Sequence, residues 1–226
     1  MTAVVHPAVP GRRRAARATT WWGRAWTRAV EESAYSERDL VAARSLSRSG
    51  QLGGVTTDTG RFVAAVEDGA GLWTVSGTLP VLDGPARASL VEAVAAEAGR
   101  IASLLAGDLP HALVEHAEEA GVELLPYGGE LATECTCAAW VDPCVHALAV
   151  LYQLTWLIEA DPFVLLQLRG LPRDDLLAQL HAHQEAEPGE AEPDVDDLDA
   201  GLDAALRAAT LLRLLDEDDQ PVDHLF

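Results

Sequence analysis

All three cysteines of this 226-residue chain fall within ten residues, and a histidine stands two positions after the last: Cys135-Thr136-Cys137, six residues, then Cys144-Val145-His146. Three soft thiolates and one imidazole make a complete tetrahedral donor set for zinc. The spacing suits that chemistry. Residues two apart in a strand face the same way, so Cys135 and Cys137 can address one ion from a β-run over 131–137. Asp142-Pro143 reads as the N-cap and first turn of a helix to about Glu159, which puts Cys144 and His146 in its opening turn. There the positive end of the helix dipole eases ionisation of a thiol. One structural Zn2+ is expected on Cys135, Cys137, Cys144 and His146. Because four protein ligands leave no open position for water, no catalytic residue is assigned. Free core thiols would leave the clustering unexplained. A Cys135/Cys137 redox pair would leave Cys144 and His146 idle and lacks the usual two-residue spacing.

Nothing else in the chain composes an active site. His181 and His183 are two apart on an expected helix and point in different directions, and His111 and His116 diverge similarly. Gln51-Leu52-Gly53-Gly54 lacks the lysine and spacing of a phosphate loop, and no Gly-x-Ser-x-Gly elbow occurs. The pairs Asp174-Asp175, Asp196-Asp197 and Asp218-Asp219 read as solvated charge. The protein is not expected to be an enzyme.

The elements that must position the cluster can be read from periodicity and punctuation. Thr19 or Thr20 caps a helix through about Ser33, with Trp22, Trp26, Ala29 and Val30 on one core-facing side. Runs at 54–57, 61–67 and 72–79, separated by Gly-containing loops, predict a small antiparallel meander. Asp83-Gly84-Pro85 opens a helix through about Ala98, followed by helical stretches at 101–105 and 109–120, the last closed by Gly121. Val122–Leu125 and Leu131–Cys137, around Pro126-Tyr127-Gly128-Gly129, predict a further hairpin. Asp161-Pro162 starts a short helix ending near Gly170, and another covers 171–183. The whole is an α+β domain over about 19–183, with the zinc-stapled hairpin and helix at about 131–158. A flexible basic arm (1–18) precedes it. An acidic linker (184–197) and a C-terminal helix with an acidic tail (198–226) follow. The C-terminal helix has either its own domain or a partner's groove to pack against.

The run from Cys135 to Ala149, with Trp140 and Pro143 between the ligands, resembles the SWIM zinc finger, whose signature is Cys-x-Cys, a variable gap, then Cys-x-His. Over roughly 19–170 the chain is similar to bacterial SWIM-finger proteins found alongside Swi/Snf-type helicase-like ATPases. Trp21-Trp22-Gly23-Arg24-Ala25-Trp26 and Asp161-Pro162-Phe163 match their opening and following segments. The resemblance implies zinc binding and a DNA-binding or protein-interaction role, without catalysis. The family often carries a basic residue between the last Cys and the His. Val145 stands there instead, which argues against a grip on phosphate by the finger itself.

Charge narrows the partners. All sixteen basic residues are Arg, and the formal charge is −20. Residues 1–61 hold ten Arg against five acids, while the remainder holds six against thirty-one. That distribution excludes a uniformly basic nucleic-acid binder and leaves a basic arm on an acidic body. Arg12, Arg13, Arg14 and Arg17 are the candidate nucleic-acid contacts, and four neutralised phosphates would give a log–log salt slope of about −3.6 on duplex DNA. Equally, the arm can rest on acidic surface, its own or a partner's. No run reaches the ~18 apolar residues of a membrane span. The N-terminus lacks the order of a secretory signal, and an odd cysteine count fits a reducing cytoplasm. The expected function is a non-enzymatic zinc-binding adaptor in nucleic-acid transactions, contacting a helicase-like ATPase. Direct nucleic-acid binding through the finger and the Arg arm is the alternative.

Overall fold

The computed structural model describes residues 3–12, 17–186 and 206–208. It divides into two compact units between Leu180 and His181. The first contains a five-stranded antiparallel sheet in sequential order: β1 (Val4–His6), β2 (Leu52–Asp58), β3 (Arg61–Asp68), β4 (Gly71–Thr78) and β5 (Ala132–Cys135). Its helices are α1 (Trp21–Ser33), α2 (Glu37–Ser47), α3 (Gly84–Ala95), α4 (Ala98–Leu105), α5 (His111–Glu119), α6 (Val145–Ala160) and α7 (Phe163–Leu168). Helix α8 (Arg173–Ala186) runs across the division. Within the second unit His181 pairs with Glu185 at 3.3 Å. Apart from 206–208, which are helical, the linker and C-terminal helix expected from the sequence lie outside the described residues.

The α+β expectation holds, and the sheet shows why. In β3 the residues Phe62, Ala64 and Val66 are buried while Arg61, Val63, Ala65 and Glu67 are not, the period-two pattern of a sheet with one covered face. The covering element is α6, which packs against β2–β5 on one side and α1 and α2 on another. A helix so placed must be apolar nearly all round. Ala147, Leu148, Ala149, Val150, Leu151, Leu154 and Ile158 are all fully buried. The longest apolar run of the sequence is therefore the central core helix. Among the described residues no helix is long and apolar enough to cross a membrane.

Three local expectations are corrected. Val4–His6, in the segment expected to be a flexible arm, pairs with β2 (Val4 opposite Thr57), and the His6 ring bonds the Thr57 hydroxyl at 2.9 Å. Val122–Leu125 forms no strand: Val122 and Leu124 are buried, and the Glu123 carbonyl is taken by the Arg169 guanidinium at 2.5 Å. The Pro126–Gly129 turn signal ends instead in a single 3-10 turn, and β5 joins the meander as its fifth strand by pairing with β4. Helix α2, capped by the Ser36 hydroxyl, was not anticipated, because only Leu40, Ala43 and Ser47 of its eleven residues are buried. Elsewhere the signals hold: Thr20 caps α1, Asp83 caps α3, and Gly121 closes α5 with φ at +79°.

Candidate metal centre

The sheet edge and the start of α6 bring the four predicted ligands together. Sγ of Cys135, Cys137 and Cys144 and a ring nitrogen of His146 all lie within 4.8 Å of one another. The His146 Nδ1 is 3.8 Å from Cys135 Sγ and 4.0 Å from Cys144 Sγ. A tetrahedral zinc with bonds of about 2.3 Å to sulfur and 2.0 Å to nitrogen spaces its donors about 3.5–3.8 Å apart. The cluster is thus close to the edge lengths of a zinc tetrahedron, and the donor chemistry is that of zinc. These residues form a site for one zinc ion.

Each ligand is placed by a different local cause. Cys135 ends β5 opposite Val75 of β4, and the following Thr136 N–H donates to the Thr74 carbonyl. Cys137 lies past the end of the strand, so the expectation that both cysteines share a strand face is corrected: the chain bends after Cys135 to bring Cys137 round. Asp142 does not cap α6. Its carboxylate accepts from the Thr133 hydroxyl at 2.5 Å, and Cys144 itself is the N-cap, its Sγ accepting from the Ala147 N–H at 3.5 Å. His146 then occupies the second helical position, where the helix N-terminus favours nearby negative charge.

The second layer of the site was not foreseen. His146 Nε2 faces the Asp68 carboxylate at 2.9 Å, which leaves Nδ1 for the metal and fixes the ring's tautomer. The other Asp68 oxygen accepts from the Ala70 and Gly71 amides and from the Trp73 indole N–H at 3.1 Å, and the Trp73 ring stacks on His146 with centroids 5.8 Å apart. These bonds, led by the one to His146, hold the Asp68 carboxyl well below the usual carboxylate range. One residue thus closes the β3–β4 turn and orients a ligand 78 positions away. The only sequence signal was the Asp-Gly-Ala-Gly turn, which reads as punctuation.

The thiols are not alike. Burial pushes Cys144 up to about 12, against the pull of the Ala147 amide, and burial also raises Cys135. At Cys137 burial opposes ionisation too, but the Ala139 amide and bonds from His146, Cys135 and Cys144 outweigh it and bring the thiol to about 7. Three adjacent thiolates need a dication to offset their mutual repulsion, and loading zinc must release protons.

The helix that carries two ligands is anchored from its other side by the tryptophan-rich opening of α1. Trp26 is fully buried and its indole donates to the Leu151 carbonyl at 3.1 Å; Trp22 donates to Ile158 at 3.1 Å. Trp21 reaches the Leu109 carbonyl at 2.9 Å. Gly23 lets the two helices close: a Cβ there would stand 2.5 Å from Glu159 Cγ. Oε1 of Glu159 in turn accepts from the amides and hydroxyls of Thr19 and Thr20, at 2.6–3.2 Å. Trp22 and Trp26 are core residues that tie α1 to α6, and the half-buried Trp21 ties it to the segment before α5.

Of the four candidate phosphate contacts, Arg12 and Arg17 lie among the described residues. Arg12 places its guanidinium 4.7 Å from the Trp156 ring centroid, and its backbone N–H donates to the Arg48 carbonyl. Arg17 is exposed beside Ala18 at the edge of a cavity walled by α1, α2 and α6. Arg13 and Arg14 lie outside the described residues. Of the histidines set aside as ligands, His111 pairs with Glu115 at 3.3 Å, and His116 is half-buried with Nδ1 2.7 Å from an Arg100 nitrogen.

The site therefore has the order of ligands, closure and outer shell of a structural zinc finger. Residues 121–154 match the family model of the SWIM zinc finger, and this segment of the chain is a SWIM finger. The chain is also 32% identical over 171 residues to the uncharacterized protein Rv2102 of Mycobacterium tuberculosis. That alignment covers 75% of this chain and 61% of the relative, so the chain spans about three fifths of that protein's length. No solved structure matches the chain significantly.

Proposed function

We propose that the protein is a non-enzymatic adaptor that acts in nucleic-acid transactions through protein contact, its zinc holding a recognition loop in shape. One observation carries the reading. Trp140 sits between Cys137 and Cys144 with 82% of its surface exposed, its ring edge-on to that of Tyr35, itself 70% exposed, at 5.4 Å. An exposed tryptophan on a loop pinned at both ends by metal ligands is a rigid aromatic anchor, the residue type that dominates binding energy at protein interfaces. The filled ligand set supports a role without catalysis.

The partner class follows from the resemblance to SWIM-finger proteins encoded with helicase-like ATPases, and from charge. An acidic body steers toward basic surface, which nucleic-acid-tracking ATPases present. A reducing cytoplasm is the compartment proposed, since thiolates persist there. Direct binding of nucleic acid by the finger has less support. No Arg or Lys occurs between Arg100 and Arg169, and the charged group bonded to a ligand is the Asp68 carboxylate.

The test is affinity capture of the tagged full chain from its native extract with nuclease present, comparing wild type, Trp140→Ala and Cys144→Ser. The expected result is a helicase-like ATPase retained through nuclease and lost in both variants, with zinc still bound in Trp140→Ala. Loss of every partner on nuclease treatment, or full retention by Trp140→Ala, contradicts the reading.

A further inference from the structure

The protein carries formal charge −20, yet five of its sixteen arginines line one cavity. Its lining combines Arg17, Arg24 and Arg28, from α1 and the residues before it, with Arg44 of α2, Arg48 at the α2 C-cap, and Tyr152, Thr155 and Trp156 of α6. The cavity holds about 550 Å3, within the usual range of small-molecule sites. Arg12, stacked over Trp156, adds a sixth guanidinium beside it. Among the described residues Glu31 is the one acidic residue in the wall, and it is engaged by Arg44 at 2.7 Å.

The arginines divide by what holds them. Arg44 is a structural residue: it also reaches Glu37 at 3.2 Å and the Tyr152 hydroxyl at 3.0 Å. The others spend little of their donor capacity on the protein. Arg24 bonds the Thr19 carbonyl through Nη1, and Arg48 bonds the Arg44 carbonyl through Nε. Arg28 meets Glu32 through Nε at 2.8 Å in a pair whose side chains are 81% and 46% exposed, an arrangement that holds a side chain only weakly. A guanidinium has five N–H donors in a planar fork matched to phosphate oxygens. Trp156 also borders the cavity and offers a planar base an aromatic surface beside the Arg12 guanidinium.

We propose that this cleft binds a nucleotide phosphate, with Arg24, Arg28 and Arg48 on the phosphate oxygens and the base against Trp156. The nucleotide is carried either on a single nucleic-acid strand or free in solution. Neither Trp140 nor any zinc ligand is among the lining residues of the site. It does not depend on the adaptor reading, and either can fail alone.

The experiment uses the full-length zinc-loaded protein and fluorescence anisotropy of a short fluorescein-labelled oligothymidylate, with ATP as competitor. Wild type is expected to bind with salt-dependent affinity. The double variant Arg24→Ala/Arg28→Ala is expected to lose about tenfold or more in affinity and to flatten the log–log salt slope by about 1.4, the loss of two single-strand phosphate contacts. Arg61→Ala, outside the cleft, should bind as wild type does. An Arg24→Lys/Arg28→Lys variant keeps the charge and loses the fork, and is expected to bind between the two. It also serves if the alanine pair fails to melt as wild type does. Displacement of the strand by ATP assigns the site to free nucleotide, and strand binding that resists ATP assigns it to nucleic acid. Equal affinity in the wild type and in whichever cleft double variant melts as wild type does, or no binding of either probe by wild type, overturns the proposal.

Discussion

Helix α6 has two working ends with opposite characters. Its sixteen residues span about 24 Å. The N-terminal end carries Cys144 and His146 in a setting of thiols and carboxylates, with Asp68 behind the imidazole. The C-terminal half presents Tyr152 and Trp156 to a wall of arginines and gives Glu159 to the threonines before α1. The first end is built mostly from residues within twelve positions of one another, joined through a metal. The second is built from segments more than a hundred positions apart, joined by indole–carbonyl bonds and one close helix approach. One helix thus carries a thiol–carboxylate cluster at its start and borders an arginine-lined cleft further along.

The comparison is broken most severely by removing the metal. Cys144→Ser, or chelation of the wild type, should cost several kcal/mol and unfold at least residues 131–158, since binding energy of a structural zinc is folding energy. Zinc content and the thermal melt report this; unchanged values for both would show that the ligands are ordinary core thiols. Trp26→Ala attacks the other end. Truncating a fully buried Trp and removing its bond to the Leu151 carbonyl should lower stability by about 3–5 kcal/mol, while protein folded at low temperature still binds one equivalent of zinc.

Two smaller changes sharpen the distinction. Asp68→Asn keeps the shape and removes the charge behind His146. Its expected effect is a loss of about 10–100-fold in zinc affinity, read by competition with a chelator, with little change in the arginine cleft. Gly23→Ala drives a methyl into Glu159 and should destabilise by about 1–3 kcal/mol without touching zinc affinity. Combined with Glu159→Ala it should cost less than the two singles summed, because the clash is then gone. Strict additivity in denaturant titrations would mean the two helices do not meet as described.

The same contrast explains what sequence reasoning could see. The ligand set was legible because its spacing is local and its residue types are rare. The β2–β4 meander was legible from alternation and Gly-containing turns. Asp68 was hidden because its partner is 78 residues away, and the pairing of β5 with β4 because a local turn signal at Pro126–Gly129 suggested the wrong strand partner. Two identical Asp-Pro signals illustrate the limit. Asp161 accepts from the Phe163 amide at 2.9 Å at the start of α7, as a cap should, whereas Asp142 is drawn off by Thr133 and leaves the cap to Cys144. The arginines of α1 and α2 carry no motif of their own, because only the fold brings them together beside Trp156.

The finger is a closed zinc site of three sulfurs and one nitrogen. X-ray absorption at the zinc edge, on full-length protein with its metal content measured, tests it most directly. One zinc per chain is predicted, with three sulfur neighbours at about 2.3 Å and one nitrogen at about 2.0–2.1 Å. Zinc well below one equivalent, or an oxygen neighbour in place of one sulfur or of the imidazole, would contradict it.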